Sequence, residues 1–385
     1  MPTGAEKPNP SHLLPESGNP AVRRLPTPGE LRAEFRLSAT AAAGIAASRQ
    51  TILDILAGRD RRLLTIVGPC SVHDAAEALA YGRWLQLQAT RHADCLFVVM
   101  RCFIEKSRTG AGWRGLVRSP LPATCLASQA DQAASPPTDA HATDRQQRPD
   151  DTAEGLRQAR DLLCQLAEHG LPLAVELVSP LLWPYWADCA SWVAVGARGV
   201  ESAALREAAS ALPCASGFKN ATDGQTDSAR LAVATALRPS TVLTVDEAGV
   251  LVELLSRGNP LPHVVLRGGR NGDNLVQAAP LAAQLAVDGL PAALLVDASH
   301  GNSGFRPETQ AGIVRCALEL RRQGLPVRGL LIESYLRSGA QPLDCGAPGT
   351  TSIGQRLQAG LSVTDPCLGQ AETASLLDEI AAALK

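Results

Sequence analysis

Eight short apolar runs, spaced along most of the chain, constrain its fold more than any other feature. In order they are LLTIVG (63–68), CLFVVM (95–100), PLAVEL (172–177), WVAVG (192–196), PCASGF (213–218), HVVLRG (263–268), ALLVDAS (293–299) and RGLLIES (328–334). Most are separated by segments such as GLRQARDLLCQLAEHG (155–170), whose apolar residues repeat at three and four. A strand buried on both faces reads as a continuous apolar run, and strands alternating with helices imply parallel pairing. The pattern therefore predicts an α/β fold, a (β/α)8 TIM barrel. At 385 residues, 45% hydrophobic and 19% charged, the chain is long enough for one barrel of this kind or for two ordinary domains.

Other segments set the boundaries. Residues 1–40 carry Pro, Gly and Ser with only a short candidate helix at PGELRAEF, and read as an N-terminal arm outside the core, leaving 41–385 to the barrel. Helical spacing over 41–58 predicts a helix that Gly58 ends. Residues 119–152 are polar and aperiodic, which predicts a mobile low-complexity loop insertion. STVLTVDEAGVLVELL (240–255) suits an inserted hairpin or a short helix equally, and neither disturbs the count of eight.

Composition narrows the class of function. A net charge of -2 gives no basic field for nucleic acid, so any anion must be held locally. The N-terminus lacks the basic-then-apolar pattern of a signal peptide, and no apolar run is long enough for a bilayer. The ten cysteines form no CxxC pairs, which fits a reducing compartment. These features lead to the expectation of a cytoplasmic protein with neither nucleic-acid nor membrane partners.

In a barrel, side chains at the C-terminal strand ends converge on one face. Just past the runs lie Arg101, Lys106, Arg108, Arg198, Lys219 and Arg267. Sharing one cavity they would repel one another unless anions occupied it, which predicts ligands carrying phosphate or carboxylate. Glu176 would moderate the repulsion by orienting one of the cations; a solvated carboxylate is the equal alternative. A second group has ligand chemistry: Cys70, His300, Glu333 and, as a further candidate, Asp365 in TDPC. A lone Cys is usually a small buried hydrophobe. Brought together, though, these residues offer S, N and O donors to one divalent cation, with a position open for a substrate oxygen.

The blocks LLTIVGPCSVHDAAEALAYG, VMRCFIEKSRTGAGWRGL, SWVAVGARGVES, GFKNATDG, VVLRGGRNGDN, VDASHGNSGF, LIESYLRSGAQ and SVTDPCLG, in that order, resemble the bacterial, feedback-regulated class I 3-deoxy-D-arabino-heptulosonate 7-phosphate (DAHP) synthases. The resemblance implies condensation of phosphoenolpyruvate with D-erythrose 4-phosphate, the first step of the shikimate pathway. It places Cys70, His300, Glu333 and Asp365 on one divalent metal ion (Mn2+, Fe2+, Co2+ or Zn2+). It places Arg101, Lys106, Glu176, Arg198, Lys219 and Arg267 around phosphoenolpyruvate, and Arg108 and Thr109 on the aldose phosphate. Lys106, Cys70 and His300 are its catalytic residues. An aromatic amino acid as feedback inhibitor and a homodimer or homotetramer are further implications. Cys367 would be a disulfide partner for Cys70 when metal is absent.

The sequence also departs from the family. Ser107 stands where the family usually has Pro, Tyr335 where it often has His, and 119–152 and 345–360 are long. These departures leave room for a secondary-metabolism paralogue using another aldose phosphate or an amino-sugar acceptor. A catalytically silent regulatory subunit is the other rival, and loss of a metal ligand would be its sign. His73 and Asp74 carry no role legible in the sequence.

Overall fold

The computed structural model describes residues 23–110, 112–121, 147–149, 151–270, 272–343, 350–352 and 357–385. Its strands are β1 (Leu63–Gly68), β2 (Leu96–Arg101), β3 (Gln147–Pro149), β4 (Leu173–Glu176), β5 (Trp192–Val195), β6 (Ser216–Lys219), β7 (Thr241–Val245), β8 (Leu251–Leu255), β9 (His263–Leu266), β10 (Leu294–Asp297), β11 (Val327–Glu333) and β12 (Thr350–Ser352). Its helices are α1 (Pro28–Glu34), α2 (Ala39–Leu56), α3 (Ala75–Arg91), α4 (Thr152–Glu168), α5 (Ala203–Ser210), α6 (Asp227–Ala236), α7 (Ala278–Val287), α8 (Gln310–Arg322) and α9 (Gln370–Leu384).

The strands β1-β11-β10-β9-β6-β5-β4-β2 close into a parallel barrel, each contributed by one of the eight apolar runs. Inward side chains such as Leu64, Ile66, Val99 and Val265 form one apolar cluster, and Ile52 and Ile55 of α2 join it, closing one end of the barrel. A larger cluster fills the space between the strands and the outer helices. Gly68 permits close strand packing at the functional end, because a Cβ there would lie 2.5 Å from the Arg101 carbonyl oxygen.

Crossovers follow the alternating pattern with one exception. Between β4 and β5 the chain makes only a 3-10 turn, Trp183–Tyr185, in a stretch interrupted by Pro180 and Pro184. The segment 240–255 is a hairpin: β7 and β8 pair antiparallel. Gly58, at φ 77, follows the last turn of α2 and donates to the Ile55 carbonyl, as its sequence position predicts.

Two expectations need correction. Residues 119–152 are not irregular throughout: β3 pairs antiparallel with β12, so the two long segments meet, and Thr152 opens α4. The signal for that helix start was present as Asp151 followed three residues later by Glu154; the Asp151 carboxylate accepts from the Glu154 N–H at 3.1 Å. Residues 122–146 lie outside the described residues. Nor is all of 1–40 separate from the core. Leu31 is fully buried in the larger cluster, and α1 is held by Gly29 N–H donating to the Glu247 carbonyl (2.9 Å) and Tyr185 Oη to the Pro26 carbonyl (2.8 Å). The helix was legible at PGELRAEF, but its docking was not, because only Pro28 and Leu31 of its seven residues are buried, too few to show a period.

Candidate active site and metal centre

Register delivers the polar residues to one end. Gly68 pairs with Glu333, Glu176 with Ala194, and Asp297 with Leu331, so the β1 turn, β4, β10 and β11 all present their last residues on the same face. Cys70, His300, Glu333 and Asp365 converge there, each with a ligand atom within 4.8 Å of the others. Cys70 Sγ lies 3.4 Å from Asp365 Oδ2; His300 Nε2 lies 3.4 Å from Glu333 Oε1 and 3.8 Å from Asp365 Oδ2.

The chemistry of the cluster fits a divalent cation. Both carboxylate oxygens of Glu333 are buried without a hydrogen-bond donor, although Arg101 Nη2 approaches Oε1 at 3.0 Å. The Arg101 guanidinium offsets part of this buried charge from one side, and a cation held among the four donors would offset the rest. His300 is oriented to complete the same donor set. Its Nδ1 faces Asp297 Oδ2 at 3.0 Å and Ser299 Oγ at 2.7 Å, turning Nε2 toward the other donors. It adopts φ 53, a conformation that non-glycine residues keep only where surroundings dictate it. The Glu333 backbone is pinned by Gln310, which both donates to its carbonyl and accepts from its N–H at 2.9 Å.

The cations surround this cluster in two layers. Arg101 is almost fully buried; it donates to the Pro69 and Cys70 carbonyls (3.0 and 3.1 Å), stacks on Phe103, and leaves Nη1 without a partner. It is thus a scaffold for the Cys70 turn as well as a candidate anion donor. Lys106 Nζ lies 2.8 Å from Cys70 Sγ and 3.7 Å from Asp365 Oδ2. Lys219 Nζ binds Asp297 Oδ2 at 2.8 Å, and Arg267 donates to the Gly268 carbonyl at 3.0 Å. On the exposed rim Arg198 Nε donates to Thr109 Oγ1 (2.8 Å) and Arg108 Nε to the Trp113 carbonyl (3.0 Å).

Glu176 departs from the expected arrangement. It makes no ion pair among the described residues, and lies against Gly196, where a Cβ would meet its Oε1 at 2.2 Å. Its charge still reaches Arg101.

The electrostatics of these side chains follow from their packing. Burial disfavours the His300 imidazolium, but Asp297 and Glu333 outweigh it and raise the pKa to about 9. Burial likewise opposes the Lys106 ammonium, and Cys70, Asp365 and Glu333 overcome it, holding the amine above its ordinary value. Burial lowers the pKa of Arg267, partly offset by Asp297, and nearby Arg198 lowers it further, the like-charge crowding expected where anions bind.

Sequence reasoning missed Asp297, Ser299 and Gln310. Asp297 joins a metal-type His to a substrate-type Lys; its signal was an acid at the last position of an otherwise apolar strand. Asp74 acquires a role as the N-cap of α3, and His73 as a buried ring packed edge-on against Tyr335. Cys367 is fully buried, its thiol on the Asp365 carbonyl at 3.6 Å.

A profile described as the DAHP synthetase I family matches residues 35–378. The chain belongs to that family. It is 37% identical over 358 residues to the Tyr-sensitive phospho-2-dehydro-3-deoxyheptonate aldolase of Escherichia coli K12, covering 92% of each chain. It is 35% identical over 365 residues to the Trp-sensitive enzyme of Salmonella typhimurium LT2, covering 94% of this chain and 96% of the relative. The solved structure of phospho-2-dehydro-3-deoxyheptonate aldolase from Francisella tularensis SCHU S4 superposes with a TM-score of 0.83 at 31% identity, covering 95% of this chain and 98% of that one. As a DAHP synthetase I family member, the chain retains a Cys, His, Glu and Asp cluster of the type that holds a divalent metal.

Proposed function

We propose that this chain condenses phosphoenolpyruvate with D-erythrose 4-phosphate and water to give DAHP and inorganic phosphate, acting in the cytoplasm at the first step of the shikimate pathway. The observation that carries the reading is Lys106 Nζ at 2.8 Å from Cys70 Sγ, which sets a proton-bearing group beside a four-donor cluster at the rim of a cationic cavity. The two phosphorylated substrates bring about four or five negative charges, which offset the mutual repulsion of the cations.

In this reading Arg101, Arg198, Lys219 and Arg267 hold the carboxylate and phosphate of phosphoenolpyruvate, with Glu176 limiting their repulsion. Arg108 and Thr109 hold the aldose phosphate; the Thr109–Arg198 contact supports placing the two substrates side by side. Cys70, His300, Glu333 and Asp365 would hold one divalent ion, Mn2+, Fe2+, Co2+ or Zn2+ by donor type, which supplies Lewis-acid polarisation of the aldehyde. As C3 of the enol bonds to the aldehyde carbon, Lys106 gives its Nζ proton to the carbonyl oxygen. Water then adds at C2 and returns a proton to the Lys106 amine, and cleavage of the bond from C2 to the phosphorus-bearing oxygen expels phosphate with the hydroxyl proton, leaving the C2 ketone.

Two finer features belong to the same proposal. An aromatic amino acid acts as feedback inhibitor, in keeping with the Tyr-sensitive and Trp-sensitive names of the relatives. The chain works as a homodimer or homotetramer, with residues 1–40 as an arm packed through α1 on the 41–385 catalytic unit; Leu243, Leu251 and Leu255, exposed on one hairpin, support a subunit contact. No helix among the described residues is long and apolar enough to cross a membrane.

The test is an assay of phosphoenolpyruvate consumption. It should require erythrose 4-phosphate and divalent metal, stop with EDTA, respond to one of Phe, Tyr or Trp, and fall by about 10³-fold in Lys106→Ala. Turnover surviving EDTA, or consumption with no dependence on the aldose phosphate, overturns the reading.

A further inference from the structure

Three of the four ligand residues are anchored by regular structure or buried backbone, and Asp365 is not. It sits in an irregular segment after β11, with its side chain 35% exposed against 12% for His300 and 1% for Glu333. Isolated bridges tie that segment to the chain just beyond Glu333: Ser334 to Leu368, Gly339 to Cys367 and Ala340 to Ser362. These bonds join the two arms of the loop to each other, and Leu368 N–H on the Glu333 carbonyl (2.9 Å) ties the side after Asp365 to β11. The side before Asp365, which carries Gly360, needs a tie of its own.

Glu77 supplies one. It lies in the first turn of α3, where its own N–H donates to the Asp74 carboxylate at 3.0 Å, and α3 begins five residues after Cys70. Its Oε1 accepts from the Gly360 N–H at 2.7 Å and its Oε2 from the Tyr335 hydroxyl at 2.9 Å. Gly360 is in the arm that carries Asp365; Tyr335 is two residues past Glu333 and fully buried. Tyr335 reaches back to the same segment through its N–H on the Leu368 carbonyl (2.8 Å), and Gly360 is held again by Arg337 N–H (2.9 Å). One carboxylate, 12% exposed, therefore fastens the elements bearing Cys70, Glu333 and Asp365. Burial raises its pKa, and the two donors oppose that rise by stabilising the charged form. His73, 3.6 Å away, is driven down to about 4 by burial and brings no charge at neutral pH.

We propose that Glu77 is a positioning residue for the metal centre: by clasping Tyr335 and Gly360 it sets the spacing of the Asp365 arm against Cys70 and Glu333, and so sets metal affinity. The proposal rests on the reading of Cys70, His300, Glu333 and Asp365 as metal ligands. Partners that orient metal ligands without touching the ion typically change affinity by about 10–100-fold when removed.

The experiment is Co2+ titration of the chelator-stripped full chain against a competing chelator, with the thiolate-to-cobalt absorption reporting the Cys70 bond. Wild type should take up one equivalent and Cys70→Ala should lose the absorption. Glu77→Ala should weaken binding by about tenfold or more. Glu77→Gln, which keeps an acceptor for Gly360 or Tyr335, should recover part of the loss, and Tyr335→Phe should fall between. Unfolding midpoints of the metal-free chains separate this from loss of fold, since a purely structural Glu77 would lower the midpoint with affinity intact. Affinity in Glu77→Ala within twofold of wild type overturns the proposal and leaves the metal site standing. Where Glu77→Ala does not fold, unchanged affinity in Tyr335→Phe overturns it instead. A wild-type chain that binds no Co2+ overturns the metal site and this proposal together.

Discussion

Asp297 illustrates how much chemistry one buried side chain can organise. It is fully buried, and burial raises its pKa, but His300 and Lys219 together outweigh that and hold the carboxyl well below the usual range. Replacing it by Asn keeps the shape and removes the charge that both partners use. Asp297→Asn is expected to cut turnover by about 10–100-fold and to raise the KM for phosphoenolpyruvate, checked by steady-state kinetics at saturating metal. A second residue, His263, governs acid stability. It lies inside the barrel with Nε2 accepting from the Trp192 indole (3.1 Å) and Nδ1 on the Leu261 carbonyl (3.1 Å), and burial lowers its pKa to about 4. The unfolded chain protonates this group near its ordinary value of about 6.5, so the unfolded state binds more protons between those limits and stability is lost as pH falls through them. The loss attributable to His263 should reach about 2 kcal/mol at pH 5 and be absent in His263→Gln, measured by denaturant unfolding across pH.

At the scale of elements, caps and short hydrogen-bonded ties fix where helices meet the barrel. Ser38 does two jobs: its Oγ accepts from the Ala41 N–H (3.1 Å) to cap α2, and donates to Glu168 Oε2 (2.7 Å) at the end of α4. Since α2 closes one end of the barrel, Ser38→Ala should lower unfolding free energy by about 1–2 kcal/mol with an unchanged m-value and unaltered substrate KM. The helix read from spacing over 41–58 begins two residues earlier, at Ala39, behind this cap, and the cap's second partner lies 130 residues away. The pairing of β3 with β12 is of the same kind. Each strand is a three-residue polar stretch, with no periodicity to mark it, and exists because the other is beside it.

For the whole molecule, the extent of the two apolar clusters leads to the expectation that the chain folds without the metal. Barrel interior and outer layer are separately packed, and the proposed ligands lie at the strand ends beyond the inner cluster. The chelated chain should therefore keep a cooperative unfolding transition while losing activity. Metal restored at a hundredfold excess over its Kd should stabilise it by about 2.7 kcal/mol, read as a rise in the thermal midpoint. A chain that unfolds outright on chelation would place the metal among the determinants of the fold.

The number of barrel strands, their parallel pairing and the face that carries the proposed ligands were legible in the sequence alone, because a doubly buried strand is mostly apolar and the charged or ligand-type residues that follow it mark one end. Cys70, His300, Glu333 and Asp365 were legible as types at such positions. Their meeting within 4.8 Å was decided by closure of the barrel, which brings β1 next to β11. Only the tertiary structure gave Arg101 its double role, set Glu176 beside Gly196, joined Asp297 to two partners and placed Glu77 across Tyr335 and Gly360. Those are contacts between residues far apart in the chain, and no local period or propensity records them. What hydrophobic burial imposes repeats along the sequence and can be read there; what single hydrogen bonds and charges impose depends on which neighbour arrives.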